Sequence, residues 1–353
     1  MGIIYNEKAK TFTLHTQNTT YQMQIDAYGF LLHLYYGRKT DGVMDYLLTY
    51  ADRGFSGNPQ DTGNDRTYSL DVLPQEFPCR LTGDFRSPVL DLVNADGSFG
   101  CDLRYQGYEI CDGKYNLKGL PAVYAAEEEA QTLIIYMKDQ VTGLQVELLY
   151  GVLPEYDVIT RSAKVVNTEE DKIRLTKAQA ACIDFVHGEF DVISFYRRHA
   201  MERNTQRIPV GHGAFVIGSR RGTSSHQYNP MMILAEKETT EDAGTCYGMS
   251  FVYSGGFKAE VEKRREEMMA DLFSLLEINS ERDDSQADAT HPYGPGPVKA
   301  LEKFLEIAER DGYETTNVDN YAGHFTFGQG EEELGIFAHM DVVPAGSGWD
   351  TDP

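Results

Sequence analysis

The sequence predicts a mainly β protein, with a large antiparallel β-sandwich over about the first 250 residues and a shorter α/β segment after it. Three observations predict this fold class. Short alternating segments bounded by turn residues recur along the first part, and no clear amphipathic helix interrupts them. Beyond residue 257 the spacing of apolar residues becomes helical.

Segments of six to ten residues follow one another from Gly2 to about Tyr253, and many of them alternate polar and apolar residues. Gly, Asn, Asp or Pro bounds most of them. Examples are TFTLHTQ, QTLIIYMKD, LQVELLYGV and MMILAEKET. Repeated strands with turn signals at this spacing are typical of a large antiparallel sandwich.

The pattern changes from Phe257 onward. The stretch KAEVEKRREEMMADLFSLLEIN predicts one amphipathic helix, and GPVKALEKFLEIAERDGY predicts a second, with Pro297 near its start. The segments TTNVDN, AGHFTFG and LGIFAHMD then predict strands. Helix, helix, strand, strand is the opening of an α/β domain. We therefore expect two domains, 1–256 and 257–353.

Composition limits the classes of function. The formal charge of −23 argues against nucleic acid and against anionic membranes as partners, and solubility alone accounts for it. The five Cys form no CxxC pair and are typical of reduced thiols in a cytoplasmic protein. The N-terminal residues do not read as a signal peptide, and no apolar run is long enough to span a membrane.

Three polar stretches are candidates for a binding site. They are residues 51–78, residues 195–213, and residues 219–230 together with 247–257. Loops rich in Asp, Arg, Asn and aromatic residues suit sugar recognition. The alternative is that they are well-ordered loops at a subunit interface, and residue type alone favours this alternative because loops collect polar turn residues for local reasons.

Four motifs in this order carry a family resemblance: DRGFSGNPQDTGNDRTYSLDVLPQEFP, GDFRSP, RRGTSSHQYNP and YGMSFVYSGGF. Through them, residues 1–256 resemble the N-terminal domain of bacterial α-galactosidases of glycoside hydrolase family 36. The resemblance implies a β-supersandwich that precedes a (β/α)₈ catalytic barrel. It also implies hydrolysis of terminal α-galactosides such as melibiose and raffinose without a cofactor, and a homo-oligomer, since several members are tetramers.

The resemblance further implies which residues bind sugar. Asp52, in the DRGFSGNP loop, corresponds to the Asp that reaches the sugar subsite. His199 stands where the family usually has a Trp that shapes the same pocket, and a His offers less ring area for stacking. Arg197 and Arg198 beside it are expected to be scaffolding of the loop, because Arg is mostly exposed.

Galactosidase catalysis is not expected from this chain alone. A retaining glycosidase needs two carboxyl groups about 5 Å apart. In the family both are Asp residues of the barrel, one of them in a KWD motif. That motif does not occur here, and the single Trp is Trp349.

Residues 257–353 resemble the start of a bacterial di-zinc dipeptidase, through YGPGPVKALEKFLEIAERDGY, NVDNYAGHFTFGQG and LGIFAHMDVVPAGSGWDTDP. The resemblance implies that His339 is a zinc ligand and Asp341 its catalytic neighbour. A carboxylate two residues along a strand lies on the same side as the imidazole and can orient it. The remaining family ligands are not present, so the zinc site is expected to be incomplete. His291 and His324 are not expected to replace them.

The two resemblances meet at SGGFKAEVEK, which suggests a fusion. A gene-level recombination, an assembly error or a deliberate fusion would each produce it. Three hypotheses stay open for function: a carbohydrate-binding or oligomerising β domain of an α-galactosidase, a metallopeptidase fragment that binds zinc weakly through His339, and a structural sandwich without a ligand.

Overall fold

A computed structural model describes residues 2–50, 58–80, 82–168, 170–186, 188–201, 204–211, 213–263, 274–310, 313–326 and 338–342. The chain forms two compact units. Unit 1 consists of Met1–Val210 and Phe215–Val261, and unit 2 of Gly211–Ala214 and Glu262–Pro353. The predicted boundary at residue 256 stays a prediction.

Unit 1 begins with two four-stranded antiparallel sheets, in each of which consecutive strands are neighbours. The first sheet contains β1 (Ile3–Asn6), β2 (Thr11–His15), β3 (Thr19–Ile25) and β4 (Leu31–Arg38). The second contains β6 (Leu103–Asp112), β7 (Gln131–Asp139), β8 (Gln145–Leu153) and β9 (Val158–Val166).

A shared apolar core lies between these two sheets. Strand β7 shows how the sequence builds it: Leu133, Ile135 and Met137 are buried at every second position, while the residues between them are partly exposed. They belong to the same buried cluster as Phe12 and Leu14 of β2. Alternation along β7 therefore places one of its faces in the core.

Further sheets complete unit 1. One has the order β12, β11, β14, β15, and two others pair β10 with β5 and β13 with β16. Their bounds are β5 (Leu90–Val93), β10 (Arg174–Ala178), β11 (Phe190–Tyr196), β12 (Asn204–Pro209), β13 (Gly213–Ser219), β14 (Tyr228–Glu236), β15 (Cys246–Ser250) and β16 (Phe257–Lys263). A second core joins Val192, Ile217, Met232, Leu234 and Phe257. The predicted mainly β class with antiparallel sheets is confirmed.

Short 3-10 turns, rather than α-helices, interrupt the described strands of unit 1. They span Asp45–Leu47, Gln60–Thr62, Glu127–Glu129 and Pro154–Tyr156.

The predicted start of the first helix was wrong. Lys258–Lys263 belong to strand β16, which pairs with β13, and helical backbone among the described residues of this stretch occurs only at 274–276. Ala259 and Val261 alternate with charged residues and pack against the second core, so this short segment satisfies strand periodicity as well as helical spacing.

Unit 2 contains a 3-10 turn at Asp284–Gln286, helix α1 (Pro295–Arg310) and the antiparallel strands β17 (Thr315–Val318) and β18 (Ala322–Phe325). The buried face of α1 carries Val298, Leu301 and Leu305. Asp319 and Asn320 both have positive φ, which is typical of the tight turn of a hairpin. The second predicted helix and the predicted strands TTNVDN and AGHFTFG are confirmed, whereas the described residues of the third predicted strand, LGIFAHMD, do not form one.

Within the described residues, none of the helices combines the length and the apolar character that a membrane crossing requires.

Candidate functional site

The second and third polar stretches of the sequence lie next to each other in the structure. Tyr196, at the end of β11, is paired with Tyr228, at the start of β14. Immediately after the strand, the backbone N–H of Arg197 donates to the carbonyl of Gln227, with N and O 3.4 Å apart. Antiparallel pairing of β11 with β14 thus brings the two stretches together.

An open depression of 460 Å³ lies at this junction and is lined by Arg197, Arg198, Met201 and Gln227. Two guanidinium groups and an amide offer hydrogen-bond donors to hydroxyl or carboxylate oxygens. The depression is therefore chemically suited to a polar ligand such as a sugar.

The backbone beside the depression is strained. Arg197 has φ +126° and Ala200 has φ +63°, backbone conformations that residues other than Gly rarely adopt. The N–H of Met201 donates to the carbonyl of Arg198 at 3.0 Å and closes the turn. Such strain is concentrated at functional sites in proteins, where surrounding contacts maintain it.

His199 is exposed at the middle of this turn, two residues from Met201 and Arg197 of the depression. Its assignment as a sugar-binding residue stays a prediction. Asp52, the other predicted sugar-binding residue, lies outside the described residues, as do its neighbours 51–57.

The second half of the first polar stretch forms part of the core. Residues 74–76 run beside β4: the N–H of His33 donates to the Pro74 carbonyl at 2.6 Å, and the N–H of Glu76 to the Leu31 carbonyl at 2.9 Å. The Glu76 side chain is fully buried. The motif LPQEFP is therefore part of the interior of the sandwich.

The buried Glu76 carboxylate is surrounded by donors from four strands. Arg161 of β9 lies 2.6 Å from Oε1, and the hydroxyls of Tyr21 and Tyr150 donate to the same oxygen at 2.6 and 2.8 Å. Nδ1 of His33 lies 3.1 Å from Oε2. The Arg161 guanidinium also lies over the Tyr150 ring, 4.7 Å from its centroid.

These contacts determine the charge of the group. Burial raises the pKa of the Glu76 carboxyl. Arg161 and the hydrogen bonds from His33 and Tyr21 lower it by more than burial raises it, so the pKa lies below its usual range. Burial also raises the pKa of the Tyr21 and Tyr150 phenols well above normal. The network therefore holds one carboxylate, one guanidinium and two neutral phenols.

The motif GDFRSP is likewise structural. Arg86 donates from Nε to Asp84 at 2.7 Å, and its Nη1 lies 2.9 Å from an oxygen of Asp184. Its Nη2 donates to the carbonyls of Leu70 and Leu73. The sequence analysis places both motifs among the candidate binding loops, because a buried charged residue has no local sequence pattern that distinguishes it from an exposed one.

The predicted zinc motif does not have the surroundings that the sequence suggested. His339 and Asp341 lie together, with Nδ1 and Oδ1 3.2 Å apart, but the His339 side chain is 86% exposed. The described part of the predicted strand, residues 338–341, has no regular secondary structure. Among the described residues, no group of three or more His, Cys, Asp or Glu is placed to hold a metal ion. The pair by itself supplies too few ligands for a closed zinc site, which takes about four.

The architecture is thus that of a large antiparallel β-sandwich with a polar depression at a loop junction. Comparison with known proteins identifies its relatives. The sequence model of the glycosyl hydrolase family 36 N-terminal domain matches residues 29–274. The chain belongs to this family.

Relatives with this domain are α-galactosidases. The chain is 63% identical over 263 residues to a bifunctional alpha-galactosidase/sucrose kinase, AgaSK, of Mediterraneibacter gnavus, which corresponds to 74% of this chain and 28% of the relative. It is 40% identical over 280 residues to alpha-galactosidase Mel36A of Lactobacillus acidophilus, covering 79% of this chain and 37% of the relative. The chain therefore spans only 28% and 37% of the length of these two relatives.

Solved structures with a similar fold are also α-galactosidases. The galactosidase domain of AgaSK superposes with a TM-score of 0.73 at 62% identity, over 74% of this chain and 37% of that chain. Alpha-galactosidase AgaA from Geobacillus stearothermophilus, solved in complex with raffinose, gives a TM-score of 0.70 at 40% identity, over 72% of this chain and 36% of that chain.

Proposed function

We propose that residues 1–256 serve as the N-terminal sugar-site domain of an α-galactosidase that hydrolyses terminal α-galactosides. The observation that carries the proposal is the similarity of sequence and fold to α-galactosidases, one of which binds raffinose in its crystal structure. In this role the domain supplies binding residues, while catalysis requires carboxyl groups of a barrel.

Asp52 and His199 are the proposed sugar contacts. A carboxylate accepts hydrogen bonds from sugar hydroxyls, and an exposed imidazole can stack on the sugar face and donate a hydrogen bond. The depression lined by Arg197 and Gln227 beside His199 supports this assignment.

Isothermal titration with galactose and melibiose tests the proposal. We expect binding that Asp52→Ala abolishes and His199→Ala weakens. Asp45→Ala, which changes an exposed Asp earlier in the same region, serves as the matched control and should leave binding intact. Binding that survives Asp52→Ala would reject the assignment of Asp52, and no binding by the parent chain would reject a sugar site in this chain.

We also expect that the purified chain does not hydrolyse a chromogenic α-galactoside, because the carboxyl pair of the family lies in the barrel. Measurable hydrolysis would contradict this expectation.

We further propose a homo-oligomer and a cytoplasmic location. Free thiols at all five Cys support a reducing compartment. Light scattering coupled to gel filtration tests the homo-oligomer, and a monomer at micromolar concentration would reject it.

Fractionation of cells tests the cytoplasmic location.

The dipeptidase resemblance of residues 257–353 is kept as a second proposal. The contact between Nδ1 of His339 and Asp341 favours it, because this pattern orients a metal-binding imidazole. Titration with Zn²⁺ tests it: stoichiometric binding lost in His339→Ala but kept in His291→Ala would support a zinc site, and no binding would reject it.

A further inference from the structure

We propose that the depression lined by Arg197, Arg198, Met201 and Gln227 binds an anionic group, a phosphate or a carboxylate, carried on a sugar. The inference deepens the proposed function and rests on it for the sugar part of the ligand. The anionic part follows from the charge, the ion pairing and the backbone geometry of the residues around the depression.

Positive charge is concentrated in the part of the chain that forms the depression. Residues 195–230 contain six Arg, no Lys, no Asp and one Glu, which gives them a net charge of +5. The whole chain carries −23. Solubility does not require a positive region in so acidic a chain, because the large net charge already provides it.

The two Arg residues of the depression are not neutralised by the protein. Among the residues that the structure describes, no carboxylate pairs with Arg197 or Arg198, and both are exposed. By contrast, Arg207 of the same stretch has Nε 2.6 Å from a carboxylate oxygen of Asp191. Neighbouring guanidinium groups repel each other, and an anion bound between them would replace this repulsion by attraction.

An unusual backbone conformation brings both Arg residues to the same depression. Consecutive residues of a strand point to opposite faces of the sheet. Arg197 directly follows β11, and its φ of +126° lies outside the conformations of a strand. Arg197 and Arg198 consequently both line the depression, where one ligand can contact them together.

Hydrogen bonds to the backbone hold this turn in place. The N–H of Arg197 donates to the Gln227 carbonyl at 3.4 Å, and the N–H of Met201 donates to the Arg198 carbonyl at 3.0 Å. The side-chain amide of Asn204 donates to the Met201 carbonyl at 2.8 Å. A fixed backbone reduces the ordering that ligand binding would otherwise require. Arg side chains presented in this way can form paired, charge-assisted hydrogen bonds with a phosphate or a carboxylate.

A small anionic ligand fits the distribution of charge better than a polyanion does. The net charge of −23 repels nucleic acid and anionic membranes over the rest of the surface. A single anionic group in the depression interacts mainly with the nearby guanidinium groups, because salt screens charges beyond about 8 Å. The side-chain amide of Gln227 can bind sugar hydroxyls beside it. The ligand class is therefore a phosphorylated or acidic sugar.

Isothermal titration at low salt compares galactose, galactose 6-phosphate, galacturonate and inorganic phosphate as ligands of the parent chain. We expect at least one charged sugar to bind about tenfold tighter than galactose, because charge-assisted hydrogen bonds are about twice as strong as neutral ones. Inorganic phosphate should bind by itself. The charged sugar that binds more tightly identifies the anionic group as phosphate or carboxylate.

Substitutions of the two Arg residues test where the anion binds. Arg197→Gln and Arg198→Gln remove the charge from exposed side chains, so the fold should be retained. Each should weaken the binding of phosphate and of the charged sugar by about tenfold. Arg198→Lys keeps the charge without the planar fork and should lose less. Arg174→Gln is the matched control, because Arg174 of β10 is exposed, lies outside the depression and has no ion pair within the described part of the chain; it should leave every affinity unchanged.

The outcomes separate the anion site from the proposed function. Tighter binding of a charged sugar that both Gln variants weaken supports the inference. Charged sugars that bind no tighter than galactose overturn it, as does phosphate binding that both variants leave unchanged. A smaller oligomer in both variants, with no anion binding by the parent chain, would assign the two Arg to a protein interface and also overturn it. If galactose does not bind but phosphate binds through Arg197 and Arg198, the proposed function fails and the anion site stands.

Discussion

Glu76 shows how much one buried residue can depend on distant parts of the chain. Its carboxylate contacts Arg161, Tyr21, Tyr150 and His33, which come from four strands. Removing one partner of a buried pair leaves the other charge uncompensated, whereas a surface pair contributes little.

We expect Glu76→Gln to lower the free energy of unfolding by about 3 kcal/mol, because Arg161 would stay buried without a counter-charge. Urea denaturation of the purified chain measures this change. Glu147→Gln is the matched control: it removes a pair with Lys164 that is 57% exposed on the Lys side, and should change the free energy by less than about 1 kcal/mol. Equal effects of the two substitutions would contradict the prediction.

The same residue predicts a dependence on pH. The pKa of Glu76 is lower in the folded protein than in the unfolded chain, so the folded state favours the ionised form. Its contribution is complete above the unfolded pKa of about 4.3 and is lost as pH falls through the folded pKa. The difference in unfolding free energy between the parent and Glu76→Gln should therefore shrink as pH falls below about 4. A constant difference from pH 7 to pH 3 would contradict this.

At the scale of the elements, the pairing of β13 with β16 depends on a glycine. A Cβ at Gly218 would lie 2.7 Å from the carbonyl oxygen of Phe257, closer than side-chain carbons approach backbone atoms. The two paired strands therefore approach each other closely at Gly218, where a larger residue would not fit without a shift.

We expect Gly218→Ala to destabilise the chain by about 1 to 3 kcal/mol, because the two strands must separate to admit the methyl group. Thermal unfolding followed by circular dichroism measures it. Gly248→Ala in β15 is the control, since no heavy atom lies within 4 Å of its added Cβ, and it should be neutral or slightly stabilising. A similar loss in both variants would show that the contact with Phe257 does not matter.

At the scale of the whole molecule, the two units differ in how much core they have. Unit 1 buries large clusters between several sheets, while the described part of unit 2 buries a small set of residues on α1, together with Ser280. Small apolar cores give little stability.

We therefore expect limited proteolysis to cut first within residues 262–353 and to leave a fragment close to unit 1. Mass spectrometry of the early fragments measures this. An early cut within the strands of the sandwich would contradict it.

Much of the fold could be predicted because strand periodicity is a local property. Segments such as QTLIIYMKD alternate in sequence as they do in β7, and the pattern of GPVKALEKFLEIAERDGY predicts α1. The strand at Lys258–Lys263 could not be predicted, because its six residues fit either period and only pairing with β13 decides between them.

The sequence by itself determined the mainly β class, the family and the polar stretches in which to look for a site, because each of these is written in local patterns and ordered motifs. Only the tertiary structure decided which polar residues are core and which are exposed. Glu76 and Arg86 are buried because partners far along the chain compensate their charges, whereas Arg197 and Gln227 meet at an open depression because β11 pairs with β14. Charge compensation and strand pairing are both long-range, so neither has a signature in a short stretch of sequence.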